Sequence, residues 1–448
     1  MSDDGRPSSR VPSGRFSRLL QLGGTASRMA AEGAAERVRR LASKAEEELP
    51  HVLLTAKNAK LLAERLSRLR GAAMKVGQML SMEGDNLLPP EFAKALEILR
   101  SSAHRMPRSQ VEEVLRREYG KDYASRFGSL SLEPMASASI GQVHAATTLT
   151  GESIVLKIQY PGVAESIDSD VDNLRSLLAM TRLAPQGLSL DELTEEIKAE
   201  LRREVDYGRE LEQLVAYRRV AGELPGVRIP RPYPELSTSR ILALERVPGV
   251  PLLDWSKTAP QAERNRVGRQ LFELLLGEFF EFGLMQTDPN PANFFYDSER
   301  AELVLLDFGA TRAVPPETSD LYRRAFRGIE ARDSEVLRTV LDDLGFRTHE
   351  RPGLTNALLE TAFELSHTLE PGPYDFRTSR LSVRMNERAR ALREFKAEMI
   401  PPPPAYMFFQ RKLGGTFLLC RNLGSVFDGR EVLEEFGVLD YHPSRAAG

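Results

Sequence analysis

The spacing of apolar residues predicts helices in the first part of the chain. Between residues 53 and 81 four leucines recur at the helical period, with basic side chains between them: Leu61, Leu62, Leu66 and Leu69. Two prolines at positions 89 and 90 end this helix. Two shorter helical runs follow, at residues 91–99 and 108–119.

The pattern changes from helical to β-like between residues 130 and 159. Two short segments, 142–148 and 153–159, flank a Thr150-Gly151 turn. This arrangement predicts a β-hairpin.

Further helices and another strand follow the hairpin. Long helical stretches are predicted at residues 163–183 and 190–221, and a strand at 240–247. A Pro-Gly-Val-Pro linker at 248–251 comes next, and the chain beyond it is mostly helical, apart from loop and strand signals between residues 286 and 307. This order predicts a small α+β part ahead of a larger helical part.

The composition narrows the class of protein. Of the 448 residues, 41% are hydrophobic and 28% are charged, which excludes wholesale disorder. The net charge of -3 lacks the basic excess of a dedicated nucleic-acid binder, so no nucleic-acid partner is expected. Cys420 is the single cysteine, so the chain forms no internal disulfide and suits a reducing compartment.

The N-terminal segment differs in charge from the rest of the chain. Nine arginines and lysines but only two acids lie between Gly5 and Ala45. Such a segment is either a basic arm that touches an anionic lipid surface or a solvated tail. The most apolar stretch, 272–285, is interrupted by acids such as Glu278, so no transmembrane segment is expected. We therefore expect a cytoplasmic protein, either free or peripheral on a membrane.

The first polar residues whose spacing indicates a chemical role follow the apolar stretch 272–285. Asp288 and Asn293 have the D-x-x-x-x-N spacing by which a kinase catalytic loop directs a carboxylate at the nucleophile and an amide oxygen at a metal. An Asx-turn at a helix end explains the same spacing and is the more common case. An apolar strand at 303–306 that runs into Asp307-Phe308-Gly309 favours the kinase interpretation. In a kinase, this aspartate holds the Mg²⁺ that bridges the nucleotide phosphates.

A lysine at the end of a β-branched strand is placed to reach nucleotide phosphates. Lys157 ends the run Ile154-Val155-Leu156, and a kinase-like lysine needs a carboxylate to orient it. The helical stretch 190–221 offers six acids, among which the sequence pattern does not choose: Glu196, Glu200, Glu204, Asp206, Glu210 and Glu212.

The segment before that strand aligns with the kinase glycine-loop pattern G-x-G-x-x-G-x-V. Ala136 and Ala138 stand at the first two glycine positions, and Gly141 and Val143 stand at the last two conserved positions of the pattern. Glycine lets backbone amides approach phosphate closely. The two alanines therefore predict an altered nucleotide loop or no such loop.

Six motifs in order closely resemble the UbiB-like (AarF-domain) atypical kinase family. They are Lys75-Val76-Gly77-Gln78, the alanine-rich segment before Ile140-Gly141-Gln142-Val143-His144, Lys157 with Gln159-Tyr160-Pro161-Gly162-Val163, Glu204-Val205-Asp206-Tyr207, Gln286-Thr287-Asp288-Pro289-Asn290, and Asp307-Phe308-Gly309-Ala310-Thr311-Arg312. The resemblance extends from about residue 55 to Cys420 and includes Arg411-Lys412-Leu413-Gly414-Gly415. It is nearest to the branch that supports coenzyme Q (ubiquinone) biosynthesis.

The resemblance implies an α+β, two-lobed protein-kinase-like fold. An N-terminal helical extension would carry the Lys-x-Gly-Gln motif over the active site. The implied segments are a basic N-terminal segment at 1–50, the helical extension at 51–125, a kinase-like N-lobe at 126–248 and a helical C-lobe at 249–440.

The resemblance also assigns roles to individual residues. Lys157 would pair with Glu210 and bind the nucleotide phosphates. Asp288 would act as a catalytic base or orient a water molecule. Asn293 and Asp307 would hold Mg²⁺.

Further implied roles concern the nucleotide pocket and its regulation. Adenine would face the backbone near Glu245 and Val247. The nucleotide loop would contain Ala136, Ala138, Ser139, Gly141 and Val143. The extension would enter the pocket and block the groove for a protein substrate through the regulatory residues Lys75, Gly77 and Gln78, with Glu204 and Asp206 as their partners.

These roles predict an ATPase that binds ATP or ADP with Mg²⁺ and supports ubiquinone or prenylquinone synthesis. Quinone-biosynthesis proteins or intermediates would be its partners. If the extension fills the substrate groove, water reaches the γ-phosphate more easily than a serine side chain does. The alternatives are a true kinase that phosphorylates a small molecule or lipid, and a nucleotide-sensing scaffold without turnover.

Overall fold

The chain divides into two units in the computed structural model, which describes residues 106–138, 140–181, 190–222, 224–395 and 404–439. The first unit runs to Glu212 and includes Arg231–Arg246. The second comprises Gln213–Pro230 and the chain from Val247 onward.

The described elements alternate between helices and short strands. In chain order they are α1 (Arg108–Tyr119), β1 (Ser129–Ser137), β2 (Gly141–Thr147), β3 (Ser153–Gln159), α2 (Val163–Thr181), α3 (Leu190–Glu204), α4 (Tyr207–Ala221), β4 (Val227–Arg228), β5 (Ile241–Glu245), β6 (Val250–Pro251), α5 (Leu252–Ser256), α6 (Gln261–Phe280), β7 (Leu284–Gln286), β8 (Phe294–Asp297), β9 (Glu302–Leu305), β10 (Thr311–Ala313), α7 (Pro316–Glu330), α8 (Ser334–Asp343), α9 (Pro352–Glu364), β11 (Tyr374–Asp375), α10 (Leu381–Leu392), α11 (Pro404–Leu423), β12 (Val426–Phe427) and α12 (Gly429–Glu435). Short 3-10 helices lie at Tyr123–Arg126, Pro234–Leu236, Pro291–Asn293, Leu365–Thr368 and Arg393–Phe395.

The first unit is built on an antiparallel sheet in the order β1-β2-β3-β5. The predicted hairpin is confirmed, because β2 pairs with β3 along its length. Alternate residues of β3, among them Leu156 and Ile158, are fully buried on one face. They share a hydrophobic cluster with Val111 and Leu115 of α1. Helix α1, predicted as the end of the helical extension, therefore shares a core with the sheet.

The prediction of one helix over residues 190–221 is wrong, because this stretch forms two helices. Helix α3 ends at Glu204, and α4 begins at Tyr207. The side-chain amide of Gln159 on β3 donates to the carbonyl oxygen of Val205 at 2.6 Å. The carboxylate of Asp206 then accepts a hydrogen bond from the backbone N–H of Arg209 at 3.0 Å. An aspartate that satisfies a free N–H at a helix start favours a new helix at this point.

The second unit combines a helical core with short sheets. One sheet has the order β4-β9-β8-β6, and β7 pairs with β10. Phe279 of α6 packs against Phe409 of α11 with ring centroids 3.8 Å apart, and Cys420 of α11 lies in the same buried cluster. Burial raises the pKa of the Cys420 thiol, so this residue acts as a small hydrophobic side chain. Within the described ranges, no helix is both long and apolar enough to span a bilayer.

Candidate active site

The first unit brings Lys157 and Glu210 together. Lys157 lies on the inner strand β3, on the face opposite its buried aliphatic residues, and directly beside Val143 of β2. Its Nζ atom is 2.6 Å from Oε1 of Glu210, and the two side chains are 15% and 8% exposed. The structure thus pairs Lys157 with Glu210, the acid that the resemblance implies among the six that the sequence pattern leaves open.

Helix α4 presents Glu210 one turn after its start. Gln159 fixes the connection before this helix, and Asp206 caps its first turn. Glu204 is the last residue of α3, and Asp206 is exposed between the two helices. Their predicted partners, Lys75, Gly77 and Gln78, lie outside the described residues.

The predicted alanine-rich loop is in large part a strand pair. Ala136 lies in β1 opposite Val143 in β2, and Gly141 begins β2. Beyond the end of β1, the N–H of Ala138 donates to the carbonyl oxygen of Gly141 at 2.9 Å. Backbone pairing extends to Ser137, so these residues lie on a strand pair, and the choice between an altered nucleotide loop and no such loop stays a prediction. Ser139 lies outside the described residues.

Gly141 is needed for close contact between strands rather than for an unusual dihedral angle. A Cβ atom at this position would lie 2.3 Å from the carbonyl oxygen of Ile158. We expect Gly141→Ala to lower the free energy of unfolding by about 1–3 kcal/mol, because the clash is with backbone that cannot rotate away. Urea unfolding measures this change. Gly208→Ala is the control in the same unit, since its Cβ would meet only the Asp206 side chain at 3.4 Å, and an equal loss in both variants would contradict the prediction.

Glu245 and Val247 lie at the end of strand β5 and after it. Glu245 is the last residue of β5, and its carboxylate accepts a hydrogen bond from the backbone N–H of Arg231 at 3.0 Å. Val247 is the first residue of the second unit after this strand. Their predicted contact with adenine remains a prediction.

The second unit brings Asp288 and Asn293 into direct contact. Asn293 ends the 3-10 helix Pro291–Asn293, which begins where the Asn290 side chain accepts a hydrogen bond from the N–H of Ala292. The Asn293 amide donates to Oδ2 of Asp288 at 3.1 Å. Arg411 of α11 contacts the other oxygen, with Nη2 at 3.3 Å from Oδ1. The carboxylate of Asp288 is therefore held from both sides by hydrogen-bond donors.

Asp307 is linked to the same segment through backbone and side-chain contacts. Its carboxylate accepts a hydrogen bond from the N–H of Gly309 at 3.0 Å. The N–H of Leu306 donates to the carbonyl oxygen of Asn293 at 3.0 Å. The amide of Gln286 donates to the carbonyl oxygens of Asp288 at 2.8 Å and Asp307 at 3.2 Å. One side chain thus ties together the two segments that carry the aspartates.

The oxygen donors at these positions fit Mg²⁺ when it is bound with a nucleotide. Within the described part of the chain, no cluster of three or more His, Cys, Asp or Glu residues could hold a metal ion by itself. Mg²⁺ is commonly bound through one or two protein oxygens together with water and substrate phosphates. Asp307 and Asn293 offer one carboxylate and one amide oxygen, which suits a metal that arrives with its nucleotide.

The sequence reasoning missed a buried ion pair behind this segment. Nζ of Lys412 on α11 is 2.9 Å from Oε2 of Glu278 on α6, and the side chains are 2% and 0% exposed. Lys412 also donates to Oε1 of Gln286 at 3.0 Å. The signal was present, because Glu278 interrupts an apolar helical stretch in which a lone carboxylate requires a partner.

The fold and these two groups of residues define a kinase-like protein. The chain belongs to the family described as the ABC1 atypical kinase-like domain, whose model matches residues 98–341. This finding confirms the resemblance to UbiB-like atypical kinases.

Two proteins that are similar to this chain are both named as COQ8-type atypical kinases. Atypical kinase COQ8B, mitochondrial, of Rattus norvegicus is 36% identical over 430 residues, which cover 95% of this chain and 81% of the relative. Atypical kinase COQ8, mitochondrial, of Saccharomyces cerevisiae is 33% identical over 422 residues, which cover 93% and 84%. The resemblance is therefore to the COQ8 atypical kinases over nearly the whole chain.

A solved structure supports the fold. The complex of Rv3197 with erythromycin from Mycobacterium tuberculosis has a TM-score of 0.59 and 24% identity, and the match covers 85% of this chain and 95% of that one. The predicted α+β protein-kinase-like fold is confirmed. Of the extension predicted at residues 51–125, the part up to residue 105, with its Lys-x-Gly-Gln motif, lies outside the described residues.

Proposed function

We propose that this chain is an atypical kinase-like ATPase that binds ATP with Mg²⁺ and hydrolyses it. The observation that supports this proposal most is the ion pair of 2.6 Å between Lys157 and Glu210. A lysine on an inner strand of the sheet, oriented by a mostly buried carboxylate, has the position from which kinases bind nucleotide phosphates. An exposed ion pair contributes little to stability, whereas this pair is mostly buried and holds the lysine in place.

Residues of the second unit would supply the remaining charge and positioning. We assign Asn293 and Asp307 to the metal, and Asp288 to orienting the attacking water or accepting its proton. When bound, Mg²⁺ would neutralise charge on the phosphates. The contacts of Asp288 with Arg411 and Asn293 fix the direction of its carboxylate. A carboxylate that positions a water molecule needs such a fixed direction.

The residue roles that we propose for the nucleotide pocket and its regulation are taken from the family resemblance. We assign the nucleotide loop to Ala136, Ala138, Ser139, Gly141 and Val143, and the adenine contact to Glu245 and Val247. ATP and ADP are both candidate ligands. The choice of water as phosphate acceptor rests on the implied extension, in which Lys75, Gly77 and Gln78 would face Glu204 and Asp206 and exclude a protein substrate.

The cellular role is proposed from the resemblance and from charge. Similarity to the COQ8 atypical kinases supports a function in ubiquinone or other prenylquinone synthesis. The nine basic residues between Gly5 and Ala45 support peripheral contact with an anionic lipid surface. Quinone-biosynthesis proteins or intermediates are the proposed partners.

Tracing of the γ-phosphate tests the reaction. Purified full-length protein is incubated with Mg²⁺ and γ-labelled ATP, either alone, with anionic liposomes or with zwitterionic liposomes. We expect label to appear as free phosphate, faster with anionic than with zwitterionic liposomes, and to be lost in Asp288→Asn and Asp307→Asn.

Other destinations of the label would identify the alternatives. Transfer to a lipid or small molecule would overturn hydrolysis in favour of a true kinase. Retained nucleotide binding without turnover would instead identify a nucleotide-sensing scaffold.

A further inference from the structure

The second unit contains a charged pair that the proposed chemistry does not use. Lys412 and Glu278 are 2.9 Å apart, and both are almost completely buried. A pair of this kind gains little net stability over apolar side chains, because both charges lose their hydration. Its presence therefore calls for an explanation other than stability.

The two oxygens of the Glu278 carboxylate have different neighbours, since Oε2 forms the ion pair with Lys412 and Oε1 accepts hydrogen bonds. Its Oε1 atom accepts a hydrogen bond from the hydroxyl of Tyr217 at 2.7 Å and from the backbone N–H of Gln286 at 3.2 Å. Burial, together with the nearby Glu278 charge, raises the pKa of the Tyr217 hydroxyl, which keeps it a donor. Glu278 thereby anchors both Lys412 and the backbone at Gln286.

Lys412 determines the direction of the Gln286 amide. A glutamine amide has a donor end and an acceptor end that occupy nearly the same volume. The ammonium of Lys412 donates to Oε1 at 3.0 Å, which turns the NH₂ group toward the opposite side. There it donates to the carbonyl oxygens of Asp288 and Asp307 at 2.8 and 3.2 Å.

We propose that Lys412 is a positioning residue for the nucleotide chemistry. It orients the Gln286 amide, and through that amide it sets the placement of Asp288 relative to Asp307. This inference rests on the proposed function, since it assumes that these two aspartates act on Mg-ATP. Residues that orient ligands of a metal commonly affect activity by about 10–100-fold without touching the substrate.

A second contact of α11 with the same segment supports this inference independently. A Cβ atom on Gly415 would lie 2.2 Å from Cγ of Pro289, the residue after Asp288. Residues 411, 412 and 415 lie on one face of a helix. This face meets the segment from Gln286 to Pro289 at three points, so α11 supports the loop that carries Asp288.

The first test removes the orienting charge without leaving a buried charge unpaired. In the double variant Lys412→Met with Glu278→Gln, residue 278 keeps an oxygen acceptor for Tyr217 and for the N–H of Gln286. We expect kcat for ATP hydrolysis to fall about 10–100-fold, with KM for ATP changed less than about threefold. The Mg²⁺ concentration for half-maximal rate should rise, and hydrogen exchange over residues 284–312 should become faster.

The second test uses two adjacent glycines of α11. Gly415→Ala introduces the clash with Pro289, whereas Gly414→Ala places its Cβ where nothing lies within 4 Å. Both changes raise helix propensity to the same extent. We expect slower turnover in Gly415→Ala alone, with an unchanged rate in Gly414→Ala.

The outcomes separate this inference from the proposed function. If the wild-type protein hydrolyses ATP and the double variant keeps its kcat, Mg²⁺ dependence and exchange pattern, Lys412 is not a positioning residue and the proposed function stands. If the wild-type protein neither binds nor hydrolyses Mg-ATP, the proposed function fails, and so does the inference that depends on it. If the double variant only melts at a lower temperature, with normal turnover of its folded fraction, the pair is purely structural and the inference is overturned.

Discussion

Asp307→Asn is expected to lower the rate of γ-phosphate release from ATP by about 10²–10³-fold, which is typical for loss of one preorganised charge-stabilising group. Asparagine keeps the shape of the side chain and can still accept the hydrogen bond from Gly309. It loses the negative charge that would bind Mg²⁺, so the Mg²⁺ concentration needed for half-maximal rate should also rise. Steady-state hydrolysis across a Mg²⁺ titration measures both effects.

Asp297→Asn is the matched control for this substitution. Asp297 lies in the same unit, and its carboxylate also accepts a hydrogen bond from the backbone N–H two residues later, at 3.0 Å. Neither the sequence nor the structure assigns it to Mg²⁺, so its substitution should leave hydrolysis unchanged within about twofold. Equal losses in the two variants would show that the turn geometry, rather than the charge of Asp307, supports turnover.

The sequence could predict those parts of the candidate site that depend on short segments. The strand that carries Lys157 and the strand that precedes Asp307 are each specified by neighbouring residues, because strand periodicity fixes the face on which each side chain emerges. The contact between Asp288 and Asn293 is similarly local, since both lie in one short turn segment.

The parts that the sequence could not predict depend on contacts between distant elements. The segment between α3 and α4 is held by a hydrogen bond from Gln159, 46 residues before its acceptor Val205. The contact of Lys412 with Gln286 joins residues 126 positions apart. Periodicity describes one element at a time and carries no information on which side chain another element will place beside it.

The choice of Glu210 as the partner of Lys157 illustrates the same limit. Six acids on one helical stretch were equivalent candidates by spacing alone. The start of α4 after Asp206 sets which acid faces β3. Only the family resemblance identified this pairing before the structure did, because it carries tertiary information that a single sequence pattern lacks.

Lys157→Met is expected to lower kcat/KM for ATP by about 10²–10³-fold, since it removes the cation proposed to bind the phosphates. Glu210→Gln should have a smaller effect, about 10–100-fold, because the lysine remains but loses the charge that orients it. Lys157→Met should also lower the free energy of unfolding by about 3 kcal/mol, since a mostly buried carboxylate loses the cation at 2.6 Å. Initial-rate kinetics and urea unfolding measure the two consequences separately.

The double variant Lys157→Met with Glu210→Met distinguishes chemistry from stability. Replacing a buried ion pair by apolar side chains is commonly neutral for stability, so the double variant should recover the free energy of unfolding while turnover stays low. Arg202→Met is the control for loss of an ion pair in the same unit, because Arg202 and Asp168 are both more than half exposed. It should change stability by at most about 1 kcal/mol and leave turnover intact. Recovery of ATP hydrolysis in the double variant would mean that Lys157 serves only to neutralise Glu210, and that the phosphates are bound elsewhere.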